Sequence, residues 1–309
     1  MNASAAADAI ADFEPHRRHL QGLAYRMLGS WAEAEDMVQD AWLRWRDVDR
    51  SQVEAPRAFL SRMVTRLCLD QLKSARARRE EYVGPWLPEP LPDAGSYDAP
   101  GAGEIAHDLS VALMLALERL SAPERAAFLL HDVFDMPFAE IALTLDRNEA
   151  ACRQLAARAR SRVRETRPRY AVTEQEGARI ADAFWQASRA GDVDALRSLL
   201  ARDAVLHADG GGKKLAVFRP ILGSDKIARF FAGLSSKPGG QFLDAVVTQL
   251  NGMPGVLATE LDGLPRSTTL EVRDGKITAI YIVRNPDKLR HVAALAPQPI
   301  APQNASDLH

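Results

Sequence analysis

The sequence predicts a multidomain chain, with two all-α units followed by one α+β unit. Three observations carry this. Apolar residues recur at spacings of three and four through most of the first 168 residues. A proline- and glycine-rich stretch interrupts that pattern over residues 81–104. Beyond residue 172 the pattern becomes capped helix and then short β-rich runs. The expected boundaries are a helical domain over 8–80, a linker over 81–104, a second helical domain over 105–168, an α+β domain over 172–295 and a flexible tail over 296–309.

In the first helical domain, Phe13, Leu20, Leu23, Ala24, Met27 and Leu28 form one apolar stripe. Ser30 and Glu33 have the spacing of a capping box before a second stripe of Ala34, Met37, Val38, Ala41, Trp42 and Trp45. Pro56 opens a third helix, with Phe59, Leu60, Met63, Val64 and Leu67 on its apolar side. One buried face per helix describes a compact bundle. The outward faces differ in sign. The second stripe is backed by Glu35, Asp36, Gln39 and Asp40, the third by Arg62, Arg66 and Lys73, running on into Arg76, Arg78 and Arg79.

The linker contains Trp86-Leu87-Pro88-Glu89-Pro90-Leu91, too dense in proline for helix or sheet interior. Its large apolar residues predict that part of the chain covers them. The second helical domain reads as a helix-turn-helix. Ser121 and Glu124 cap its first helix, Asp135-Met136-Pro137 ends that helix, and Phe138–Leu145 forms the next. After the turn Asp146-Arg147-Asn148, Asn148 caps a helix carrying Arg153, Gln154, Arg158, Arg160, Arg162 and Arg164. In such motifs the N-terminal part of the second helix enters the major groove. Arg153 and Gln154 are therefore the candidates for base edges, and Arg158 and Arg160, with Arg162 and Arg164, for phosphates.

The α+β domain starts with a helix capped by Thr173 and Glu176 and running to Gly191, then a short helix to Leu200. Strands are expected at Val205–Ala208, Phe242–Leu250, Val256–Leu261, Thr268–Val272 and Ile277–Arg284, with Asp274-Gly275 marking a hairpin between the last two. Asn285-Pro286 predicts a turn, and Asp287–Leu295 a terminal helix.

A net charge of −2 does not mark a nucleic-acid binder, but the arginines crowd two segments, and a local basic face is what DNA requires. Cys68 and Cys152 lie among apolar residues in different helices and are expected to be buried thiols. Neither they nor the histidines have metal-ligand spacing, so no metal or cofactor is expected. No apolar run approaches membrane-spanning length, and residues 1–12 lack the order of a secretory signal; the expectation is a cytoplasmic protein.

These segments together resemble the extracytoplasmic-function sigma factors, promoter-recognition subunits of bacterial RNA polymerase. Ala32–Trp45 resembles their polymerase-binding segment, Ala58–Arg79 their minus-ten helix, and the helix-turn-helix the unit that reads the minus-thirty-five element. Arg66 stands where many members of that family carry Asn. The second half resembles the SnoaL-like fold, an NTF2-type cone that a subgroup of these sigma factors carries at the C-terminus. The strings Trp86–Leu91, Asp209–Lys213 and Asn285–Leu289 are similar to signatures of that subgroup. The resemblance implies a sigma factor that binds the beta-prime clamp and beta flap of core polymerase and promoter DNA, and that is regulated in cis by its last domain. It places Glu35, Asp36, Gln39 and Asp40 against polymerase, and Arg62, Arg66 and Lys73 against the DNA being opened. Trp86, Leu87 and Pro88 would lie against Asp209, Gly210, Gly211, Gly212 and Lys213, with Asn285, Pro286, Asp287, Lys288 and Leu289 completing the regulatory surface.

The alternative function is a SnoaL-like small-molecule binder or isomerase or cyclase fused to a DNA-binding regulator. His207 and Asp209 alternate on one strand and share a face, with Lys213 just beyond, which is a plausible acid–base set. The regulatory motif accounts for Asp209 and Lys213 without chemistry, so no catalytic residue is assigned.

Overall fold

The computed structural model describes residues 3–80, 82–92, 108–166, 172–237 and 240–296. The side chains of Arg76, Arg78 and Arg79, the rest of the linker and the tail lie outside the described residues. The chain divides into two compact units: Met1–Tyr82 with Trp86–Arg169, and Val83–Pro85 with Tyr170–His309.

The first unit is helical. Helices α1 (Ala3–Phe13), α2 (Arg17–Leu28), α3 (Trp31–Trp45) and α4 (Pro56–Glu80) form the expected bundle. After the linker come α5 (Val111–Glu118), α6 (Ala122–Phe128), α7 (Phe138–Leu145) and α8 (Glu149–Thr166). The expected first helix of the helix-turn-helix unit is longer than α6, because Leu129–Val133 continue it as a π-helical turn. The capping residues act as their spacing predicted. Ser121 and Glu124 form the reciprocal box, and Asn148 Oδ1 accepts from the Ala151 amide at 2.8 Å. At α3 the outcome differs: Ser30 Oγ accepts from the Glu33 amide at 3.2 Å, but the Glu33 side chain turns away to accept from Gln71.

The sequence suggests two separate helical domains, yet the structure gives them one continuous core. It runs from Phe13 and Trp45 through Leu60 and Leu91 to Phe128, Ile141 and Val163. Polar contacts stitch the halves. Arg125 of α6, itself buried, donates to the Met27 carbonyl at the end of α2 and pairs with Glu118 at 2.9 Å. The His19 ring meets Phe134 edge-on at 4.9 Å while its Nε2 lies 2.9 Å from Ser61 Oγ. Burial, then the positive charges of Arg57, His16 and Arg26, push the His19 pKa down to about 3. Cys68 and Cys152 are buried thiols in this unit.

The second unit lays helices on a six-stranded sheet of order β2-β1-β6-β5-β4-β3. Its helices are α9 (Glu174–Ala190), α10 (Val193–Leu199) and α11 (Ser224–Ser235). The strands are β1 (Leu200–Asp209), β2 (Ile221–Leu222), β3 (Phe242–Leu250), β4 (Met253–Glu260), β5 (Pro265–Arg273) and β6 (Lys276–Val283). β3 to β6 form the antiparallel meander, whereas β1 pairs with β6 in parallel, which places Asp209 beside Val283. Asp274 and Gly275 both take positive φ (50° and 70°), as a tight hairpin turn requires. The core on the helical side is Phe184, Leu196, Leu206, Phe231, Leu270 and Ile280. Two expectations change. α11 and β2 were not read from sequence, and the terminal helix is a 3-10 segment, Pro286–Val292, whose start Asn285 caps.

His19 makes the first unit acid-sensitive. Its native pKa lies below the ordinary value, so as pH falls below about 6.5 the unfolded chain takes up a proton that the native protein refuses. Stability should fall by up to about 1.4 kcal/mol per pH unit from this group between pH 6.5 and 4. Chemical denaturation at pH 7 and pH 5 should show a larger loss for wild type than for His19→Gln. Equal losses would show that His19 does not carry the effect.

Candidate functional site

Three surfaces hold the residues that the sequence singles out. On α3, Glu35, Asp36, Gln39 and Asp40 are all exposed. Their spacing places them on one side of the helix, since Ala34, Val38, Ala41 and Trp45 occupy the buried side. Leu43 continues this acidic face and is 41% exposed, an apolar residue that the sequence reading missed. On α4, Arg66 and Lys73 are exposed and Arg62 is half-buried. Arg62 lies 5.8 Å over the Phe59 ring, Lys73 pairs with Asp70 at 2.8 Å, and Arg66 donates to the carbonyls of Leu143 and Thr144 on α7.

On α8 the arginines divide into two sets. Arg153 and Gln154 are exposed near the N-terminal end. Arg153 pairs with Glu149 one turn back and lies 5.5 Å from the Phe138 ring centre. Arg147, in the turn, is also exposed and joins this end. Further along, Arg158 and Arg162 both bind the buried Glu124 carboxylate, at 3.1 and 3.0 Å, and Arg160 binds Asp132 at 2.6 Å. Burial would raise the Glu124 pKa, but hydrogen bonds from Ser121 and Arg158 and the charge of Arg162 hold it below the usual carboxylate value. Arg158 and Arg160 thus brace α8 against α6 and the π turn, so any phosphate contact by them competes with these carboxylates. The sequence could not show this, because the acids lie 28 to 38 residues away.

The linker string also finds a place, at the turn between α2 and α3. Gly29 ends α2 with φ +70°, and the Trp86 ring lies 2.4 Å from where a Cβ there would stand. Glu89 fastens the segment to the start of α3. Its carboxylate accepts from Ser30 Oγ at 2.7 Å, the Trp31 amide at 2.9 Å and the Ala32 amide at 3.2 Å. Tyr25 donates to the Glu89 carbonyl at 2.7 Å, and the Glu89 amide donates to the Gly29 carbonyl at 3.0 Å. An anion on the free N–H groups of a helix start is held by both hydrogen bonds and dipole. Trp86, Leu87 and Pro88 therefore belong to the helical unit. It is the preceding Val83–Pro85 that joins the second unit, where Val83 lies 3.2 Å from the position of a Gly212 Cβ.

The two C-terminal strings meet. Asp209, fully buried at the end of β1, accepts from Lys288 Nζ at 2.7 Å and from the Gly211 amide at 3.0 Å. Its carbonyl accepts from the amides of Arg284 and Asn285. Asn285 Oδ1 accepts from the Asp287 amide, and Asp287 pairs with Lys213 and with Arg290. The hydrogen bond from Lys213 is the main reason that the Asp287 carboxyl sits below its ordinary pKa; burial opposes it, and Arg290 assists. Gly210 is required where it stands, because a Cβ would lie 2.1 Å from the Lys214 carbonyl oxygen. Leu289 is buried beneath, while Lys214 and Arg284 close a further network on Glu260. A cavity of about 270 Å³ beside the loop is lined by Val83, Pro85, Gly210, Gly212 and Phe218, among others.

The residues of the acid–base alternative are engaged elsewhere. His207 stacks on Tyr281 at 5.6 Å, Asp209 holds Lys288, and Lys213 holds Asp287. Between helices and sheet, the space lined by Phe184, Trp185, Phe231, Phe242, Arg266 and Thr268 measures about 20 Å³, roughly one water. Burial, followed by the charge of Arg284, lowers the Arg266 pKa to about 10, with Glu260 opposing. Among the described residues no cluster of three or more His, Cys, Asp or Glu could hold a metal ion, and no helix is long and apolar enough to cross a membrane.

Comparison with known proteins shows the family to which the chain is similar. The family model of sigma-70 region 2 matches residues 13–78, and that of sigma-70 region 4 matches residues 110–163. The chain is 42% identical over 290 residues to the ECF RNA polymerase sigma factor SigJ of Mycobacterium tuberculosis, covering 90% of this chain and 92% of that one. It is 32% identical over 281 residues to the probable sigma factor SigI of the same species, covering 90% and 94%. The crystal structure of M. tuberculosis SigJ superposes with a TM-score of 0.72 at 37% identity, over 94% of this chain and 99% of that one.

The buried ion pair gives a prediction. Lys288→Met leaves Asp209 buried without its cation and should cost about 3–5 kcal/mol, read as a lower thermal midpoint. Adding Asp209→Asn should recover part of the loss, since the charge is then removed too. A double variant no better than the single one would show that the pair is not the source.

Proposed function

The chain belongs to the extracytoplasmic-function sigma factors, and on that premise we propose that it works in the cytoplasm, carrying core RNA polymerase to promoters, with its SnoaL-like unit regulating it in cis. The observation that carries the reading is the pairing, in one chain, of an exposed acidic face on α3 with a helix-turn-helix whose recognition end leaves Arg147, Arg153 and Gln154 exposed.

The acidic face of Glu35, Asp36, Gln39 and Asp40 suits the basic surface of the beta-prime clamp, with Leu43 as an apolar anchor at its end. Region 4 meets the beta flap and the upstream element. There α8 enters the major groove with Arg147, Arg153 and Gln154 leading, and the Glu149 partner of Arg153 is exchanged for a base edge. Arg62, Arg66 and Lys73 face the strand being opened, where charge and stacking rather than base-edge reading dominate.

Regulation in cis is supported by the two anchor points of the linker. Val83–Pro85 cluster with the second unit and Trp86–Leu91 with the first. A rearrangement of the Asp209–Lys288 constellation reaches that connection through Gly212 and Val83. Isomerase or cyclase chemistry is disfavoured because His207, Asp209 and Lys213 are already committed to Tyr281, Lys288 and Asp287.

Two measurements test the assignment. Arg153→Ala should cost about 1–3 kcal/mol on the preferred upstream sequence and relax the base preference there. Uniform weakening on all sequences would make it a phosphate contact instead. Asp36→Asn with Asp40→Asn should weaken core binding about tenfold at low salt, with little change at high salt; unchanged affinity at low salt would remove α3 from the polymerase interface.

A further inference from the structure

We propose that Arg66 is a latch that holds regions 2 and 4 together in the free protein and is released when the factor engages a promoter. The inference rests on the reading of α4 as the minus-ten helix. In the structure the Arg66 guanidinium does not point to open solvent. Its Nη2 donates to the Leu143 carbonyl at 2.8 Å and its Nε to the Thr144 carbonyl at 3.4 Å. These are among the last carbonyls of α7, the helix that precedes recognition helix α8 and ends at Asp146 in the left-handed conformation. Carbonyls at a helix end lack intrahelical partners, and the helix dipole places partial negative charge there, so a guanidinium is well matched to them.

The consequence is geometric. A residue of the minus-ten helix touches the unit that reads the minus-thirty-five element. The two elements lie about 25 base pairs apart, which is about 85 Å of B-DNA. One arrangement cannot serve both contacts, so α4 and α7 must separate before both elements are read. Arg66 shares the outward face of α4 with Arg62 and Lys73, at spacings of four and seven. The group that fastens the closed form is thus among those freed for DNA when it opens. Phosphates or bases replace two carbonyls as its partners. Asn at this position, being shorter and uncharged, would bridge to α7 less well, and the closed form would lose this contact.

The test uses the full chain with a spin-label or dye pair at Arg46→Cys and Ser161→Cys, both exposed and outside the proposed contacts. Distance distributions are measured for the free protein carrying Arg66, Arg66→Lys, Arg66→Ala or Arg66→Glu. Wild type should show one short, narrow population. The Lys variant, still a cationic donor, should stay close to it. The Ala variant should raise the longer-distance population about fivefold, and the Glu variant, repelled by the same carbonyls, should raise it further. Circular dichroism establishes that each variant keeps its helices. Distances that stay constant across the series in folded protein would overturn the latch. The readout uses neither DNA nor polymerase, so failure of the protein to initiate transcription would count against the sigma reading and leave the distance result to judge Arg66 by itself.

Discussion

The buried carboxylate of Glu89 is the contact on which the rest of this structure depends. It sits on the open N–H groups at the start of α3, the helix whose far side presents the acidic face. Removing it would leave Ser30 as the main side-chain cap and free the segment that Trp86 and Leu87 seal against the α2–α3 turn. One side chain thereby supports both the start of α3 and the placement of Trp86–Leu91.

The shared core of the helical unit and the buried constellation of the second unit have different physical characters. The first combines apolar packing with a few directed contacts, from Arg125, Arg66 and His19, that cross between its halves. The second is a chain of ion pairs and backbone hydrogen bonds around Asp209, with glycine where no Cβ fits. Partly assembled networks of this kind are costly, so the loop and the 3-10 segment are expected to move together or not at all.

The sequence made visible what is local. Helices with apolar residues at three and four, the caps at Ser121, Asn148 and Thr173, and the turn at Asp274-Gly275 appear in the structure because each is decided within a few residues. The exposure of Glu35, Asp36, Gln39 and Asp40 followed from the same periodicity. What remained hidden depends on partners distant in the chain. Glu89 reaches residues 57 to 59 positions earlier, and Arg66 reaches 77 to 78 positions ahead. A charged residue on a helix face looks the same in sequence whether it faces water, DNA or another helix. That is why the ion pairs of Arg158 with Glu124 and Arg160 with Asp132, and the core that the two helical halves share, could not be seen in the sequence. β2 and α11 escaped for another reason: β2 is two residues long, and α11 follows it directly after a glycine.

Whether this chain directs polymerase to promoters can be read from run-off transcription on fragmented bacterial genomic DNA, using bacterial core polymerase with and without the full-length protein. New discrete start sites that share sequence at two upstream positions are expected. Core polymerase that gains no start site, and that also fails to bind the protein, would contradict it.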